Sequence, residues 1–213
     1  EVYSGQMGGC ILNRVVSSHA VLVATPRGLT YAYNGLLYVV GAAIAARSRL
    51  VRNVFVIGTV AGVLELGVDH FLVAYTETLT YPTSLPMLVS SPLYMPLAWA
   101  IVTTHLGYIG IRLAQVFGRR AAAAGPAIIA TVLIGFYEYG AYHAGIWAYV
   151  DAPLFMLGHV PLYIVAAEGI MFATLYELAR IERPLLAGVA FGAVITASYV
   201  GTYFVFAALA GPL

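Results

Sequence analysis

Two short runs carry the side chains best suited to chemistry, Leu64 to His70 and Phe136 to His143. Each spells Glu-x-Gly-x-x-His, once as Glu65, Gly67 and His70 and again as Glu138, Gly140 and His143, 73 residues apart. Asp69 stands beside His70, and a third glutamate, Glu168, lies in a later apolar run. Ionisable side chains in membrane-length apolar helices are costly, so they mark a site, a pathway or a paired partner. Three carboxylates in one low-dielectric pocket cannot all be ionised. A protonated acid beside a carboxylate is the pairing that general acid–base catalysis needs.

On this reading Glu65 and Glu138 are the acid and base, Glu168 tunes them, and Asp69, His70 and His143 connect the site to the outer aqueous side. Tyr94, Trp99, Tyr137, Tyr139, Tyr142, Trp147 and Tyr163 would wall an aromatic cavity suited to a long apolar substrate, their π faces stabilising a developing cation. An alternative is a divalent metal ion held by Glu65, Asp69, His70, Glu138 and His143. The five-residue Glu-to-His spacing puts the two side chains about 140° apart around a helix, which converges poorly. A structural role also fits, with the glutamates hydrogen-bonding across helices and His70 and His143 wet at the interface. His105 reads as a satisfied core histidine, and Glu77 and Asp151 as solvated loop residues. Glu177, Arg180, Glu182 and Arg183 read as a cytoplasmic charge cluster.

The elements that must position these groups follow from composition. Of 213 residues, 62% are hydrophobic and 9% charged, against about a quarter charged in a soluble domain. Apolar stretches reach the roughly 20 residues that cross a hydrocarbon core. The expected fold is an all-α polytopic membrane bundle, one domain over residues 1–213. Its six spans lie at about 29–46, 53–75, 91–117, 122–149, 160–180 and 184–209, and residues 9–25 form a marginal seventh span or an interfacial helix. The repeated motifs predict a tandem parallel repeat of two-helix units, about 53–117 and 122–180. No proline falls in the middle of a predicted span.

Arginine supplies all ten basic residues. Without lysine there is no retinal Schiff base and no lysine nucleophile. A net charge of +1 with no basic stripe argues against nucleic acid as a partner. The single cysteine, Cys10, cannot form an intrachain disulfide, a thiolate zinc cluster or an iron–sulfur site. Arg47, Arg49 and Arg52, then Arg112, Arg119 and Arg120, then Arg180 and Arg183 occupy alternate turns, and loops 76–90 and 150–159 carry no basic residue. The positive-inside rule therefore puts the arginine turns in the cytoplasm and both long loops outside, as in a prokaryotic inner membrane. Tyr75, Tyr81, Trp147 and Tyr149 then fall at an outer aromatic belt. At 1.5 Å per residue, Glu65, Glu138 and Glu168 lie roughly 12–15 Å below the outer ends of their spans, at one level.

Pro92-Leu93-Tyr94-Met95-Pro96-Leu97-Ala98-Trp99 and the stretch from Trp147-Ala148-Tyr149 to Gly158-His159-Val160-Pro161-Leu162 resemble integral-membrane carotenoid-modifying proteins, of the carotenoid hydratase and small repeat-built lycopene cyclase type. The resemblance covers roughly residues 60–170. It implies a polyene protonated by acidic residues with no redox cofactor. The Pro-x-Glu-Glu signature of the cyclases is replaced by Pro161-Leu162-Tyr163-Ile164.

The expected function is thus a membrane enzyme, a lyase or isomerase of hydratase or cyclase type, acting on an isoprenoid or carotenoid-like lipid without a cofactor. The alternatives are the Glu/His metal protein and a non-enzymatic transporter or subunit. The expected partners are the bilayer, the apolar substrate and either a second copy or a larger membrane complex.

Overall fold

The computed structural model describes residues 26–82, 85–153 and 155–211. The marginal span expected over 9–25 and Cys10 lie outside them. Among the described residues the chain forms six α-helices: α1 (Pro26–Arg47), α2 (Arg49–His70), α3 (Met95–Phe117), α4 (Arg119–His143), α5 (Leu162–Leu178) and α6 (Pro184–Ala210). Five are long and apolar enough to cross a membrane; α5, at 17 residues, is shorter. Their outward faces carry Leu36, Val39, Ile44, Val132, Leu133, Leu185, Val189 and Phe204. Such a surface suits lipid, and helices suit it because each satisfies its own backbone hydrogen bonds.

Local chemistry sets the boundaries. Ser48 caps α2, its Oγ accepting from the Val51 backbone N–H at 3.4 Å. Gly118, at φ 82°, separates α3 from α4 in a conformation that a side chain disfavours. A π-helical turn, Phe71–Tyr75, continues α2 beyond its C-terminal residue His70. Of the prolines within the predicted spans, Pro126 is buried in the interior of a helix, in the second turn of α4. It is tolerated where α4 crosses Gly110 of α3, whose missing side chain leaves room for the ring.

Helices α2 to α6 close a ring, each packing on the next and α6 returning to α2, while α1 packs outside on α2 and α3. Glycines bring the helices together. A Cβ at Gly58 or Gly62 of α2 would meet backbone atoms of Ala100 or Pro96 on α3 at 2.8 and 2.6 Å. A Cβ at Gly188 or Gly192 of α6 would strike Val60 or Leu64 of α2. These are small-xxx-small faces, which let membrane helices approach closely. Gly67 and Gly140, the glycines of the repeated motif, face open space.

The two long loops contain short strands: β1 (Leu79–Thr80), β2 (Met87–Leu88), β3 (Ser91–Pro92), β4 (Ala148–Tyr149), β5 (Met156–Leu157) and β6 (Val160–Pro161). They shorten the predicted spans: 91–92 and 160–161 are strand, and α4 ends at His143. Two hairpins pair antiparallel, with Met87 opposite Pro92 and Met156 opposite Pro161. Strand β1 pairs with β4, Leu79 opposite Tyr149, tying one loop to the other.

Candidate functional site

A cavity of about 710 Å³ lies against α3 and receives side chains from every helix. Four acidic residues line it, all buried: Glu65 and Asp69 from α2, Glu138 from α4 and Glu168 from α5. Among the described residues no arginine lines it. The arrangement follows from spacing. Glu65 and Asp69 are four residues apart, one turn along one helix face, and the glycine faces of α2 turn that side inward.

Each acid has distinct hydrogen bonding. Asp69 Oδ2 accepts from the Tyr81 hydroxyl at 2.8 Å and from the Ser91 hydroxyl. Glu138 Oε2 accepts from the Trp147 indole N–H at 2.5 Å, and Glu168 Oε1 from the Tyr199 hydroxyl at 2.5 Å. Glu65 Oε2 and Glu168 Oε2 are buried without a partner, although Asp69 and Trp99 lie within hydrogen-bonding reach of the Glu65 carboxyl group and Glu168 acts on it through its charge. A buried polar atom with no partner is costly, and here both sit in the wall of an open space.

The loop-side end of the cavity is closed by Tyr81, Trp147 and Tyr149. Burial first, then the acidic groups of Asp69 and Glu65, pushes the Tyr81 phenol well above its ordinary value. Burial, then Glu138, does the same for Tyr149. Both phenols therefore remain hydrogen-bond donors throughout the neutral range. Tyr81, Trp147 and Tyr149 line the cavity instead of forming an outer aromatic belt, because the β1–β4 pairing folds the loops inward. Only Tyr75 of that set is exposed, at 74%.

Trp99, Tyr137 and Trp147 also belong to the wall. Trp99 stacks on Phe172 and meets Tyr199 edge-on. Tyr94 and Tyr163 are buried outside it, Tyr94 edge-on to Tyr31 and Tyr163 bonded to Thr78 at 3.1 Å. Tyr139 is exposed, and Tyr142 stacks on His159 with ring centroids 3.5 Å apart.

The histidines part from the acids. His70 is exposed, its Nδ1 2.8 Å from Ser90 Oγ, and His143 packs among Tyr139, Tyr142 and His159. Neither lines the cavity, as the 140° offset from each glutamate requires. Among the described residues no three His, Cys, Asp or Glu side chains are grouped to hold a metal ion. His105, expected in the core, is instead an exposed residue of the cavity wall. At the opposite end Glu177 pairs with Arg119 at 2.6 Å and Arg180 at 2.9 Å, joining α5 to α4.

Sequence reasoning missed Tyr81, Ser91, Tyr149 and Tyr199. Tyr199 had a signal, since Ser198 and Thr202 share its buried stripe in an otherwise apolar helix. Ser91 and Tyr81 had none, because only the loop fold brings them to Asp69.

Fold and site together define a helical bundle of membrane-protein type built around an acid-lined, aromatic-walled cavity. The chain belongs to a family described as a domain of unknown function (DUF6989), whose model matches residues 66–207. No curated protein and no solved structure matches it.

Proposed function

We propose that this protein is an integral membrane enzyme that protonates an isoprenoid or carotenoid-like lipid and resolves the resulting cation by cyclisation or hydration. The observation carrying this reading is the convergence of four buried acidic residues from three helices on one apolar-walled cavity that no arginine among the described residues lines. Glu65, with its unpartnered Oε2, is placed as proton donor. Its proton passes to an alkene carbon, the π bond breaks, and a tertiary cation forms against Trp99, Tyr137 and Trp147. In cyclisation a neighbouring alkene attacks that cation and a carboxylate, Glu138 or Asp69, removes a proton from carbon, so the product is an isomer of the substrate. In hydration, water adds and its proton goes to the same base. Two hydroxyl donors on Asp69 and an indole donor on Glu138 hold these carboxylates in place.

The wider architecture belongs to this proposal. The matched hairpins support a tandem repeat. Leu93 N–H bonds Pro86 O, and Leu162 N–H bonds Phe155 O, both at 3.0 Å. Each hairpin has Met-Leu before its turn and Pro-Leu-Tyr after it. In a prokaryotic inner membrane the arginine turns would lie in the cytoplasm and the hairpins outside, with α5 completing a sixth crossing.

Purified protein incubated with farnesol, geranylgeraniol and a linear carotene, with products read by mass spectrometry, tests the reaction. Wild type is expected to form an isomer or a hydrate. Glu65→Gln and Glu138→Gln should each lose on the order of 10²–10⁴-fold in rate. Full turnover in Gln variants of Glu65, Glu138 and Glu168 would end the acid–base reading.

A further inference from the structure

The cavity has a second polar end. Along α3 its wall runs from Met95 to Ile109, about 21 Å at 1.5 Å per residue. Near its inner end stands His105, close to the middle of α3, about 15 Å from its N-terminal end and about 18 Å from its C-terminal end. Its Nδ1 is 2.8 Å from Ile101 O. A carbonyl can only accept, so Nδ1 carries the hydrogen, and in the neutral ring Nε2 is left as an acceptor. Nothing among the described residues donates to it. The contacts of Gly62 with Pro96 and of Gly107 with Val54 set the register of α2 against α3. That register places His105 about 15 Å deeper than Glu65. An acceptor at the midplane, remote from both aqueous faces, has only lipid or a ligand to satisfy it.

We infer that the ligand carries a hydroxyl at the end remote from the acids, and that His105 Nε2 accepts from it. The substrate class thereby narrows, within the function proposed above, to isoprenoid alcohols: the terminal alkene lies at Glu65 and the hydroxyl at His105. His105 is a positioning residue that sets which end of the chain meets the acids.

Both tryptophans of the chain, Trp99 and Trp147, line the cavity, so their fluorescence reports binding. Geranylgeraniol and its methyl ether, which lacks the donor, are titrated into wild type, His105→Leu and His105→Gln in detergent. Wild type is expected to bind the alcohol about 3- to 10-fold more tightly than the ether. His105→Leu should lose that preference while still binding the ether saturably, which also reports an intact fold, and His105→Gln should keep part of it. Equal affinities in wild type, or a preference that survives in His105→Leu, would overturn the anchor and leave the enzymatic proposal standing. A wild type that binds neither probe saturably would overturn both.

Discussion

Glu65, Glu138 and Glu168 stand out in the sequence because an acid within an apolar run needs a reason, and the cavity supplies it for all three. Their partners are less legible. Tyr199 hides in an apolar helix, and Tyr81 and Ser91 reach Asp69 only through the loop fold. Tyr199→Phe should leave Glu168 Oε1 unpaired and lower stability by about 1–3 kcal/mol, read as the thermal midpoint in detergent. Glu168→Gln keeps an acceptor for Tyr199 and should cost less. Tyr81 makes a pH prediction. Its folded-state value is raised by burial, so its stabilisation is fully present below the unfolded phenol value of about 10 and is lost as pH rises beyond it. The thermal midpoint should fall above about pH 10, and Tyr81→Phe should fall less steeply. Phenolate absorbance from Tyr81 near its ordinary value would contradict this.

At the scale of elements, hydropathy and arginine placement made the helices legible, while the short strands had no periodic signal. Strands of two residues cannot show alternation, so 91–92 and 160–161 read as parts of spans. The repeated histidines lie off the face of the acids, because a shared sequence pattern does not mean a shared helix face. The glycine contacts separate two kinds of position. Gly62→Ala should push α2 from α3, because its Cβ would lie 2.6 Å from Pro96 O, and should destabilise by about 1–3 kcal/mol. Gly67→Ala and Gly140→Ala meet nothing within 4 Å, and should be neutral or stabilising by about 0.5–1 kcal/mol. The hairpins offer a parallel test. Val89 adopts φ 59° where Gly158 of the other hairpin adopts 65°, and Val89 is 68% exposed. A β-branched residue there is strained by about 1–3 kcal/mol, so Val89→Gly should raise the melting temperature. A decrease would show that packing outweighs backbone strain at that turn.

At the scale of the molecule, the described residues form a ring of five helices with a sixth outside it, around four buried acidic side chains. The acids gather near the loop-capped end, and the apolar cleft runs from them along α3 past His105. Rim residues Tyr33, Leu133 and Phe136 are 58%, 56% and 73% exposed, so an apolar ligand could enter sideways, between α1 and α4, from the lipid. The central claim is that a side-chain acid delivers a proton to carbon in this chamber, and isotope transfer from solvent reads that step directly. In deuterium oxide with geranylgeraniol, the wild-type product should carry a single carbon-bound deuteron, and the combined Glu65→Gln, Glu138→Gln and Glu168→Gln protein should form none while still binding the alcohol. Undiminished deuterium incorporation by that triple variant would contradict the account.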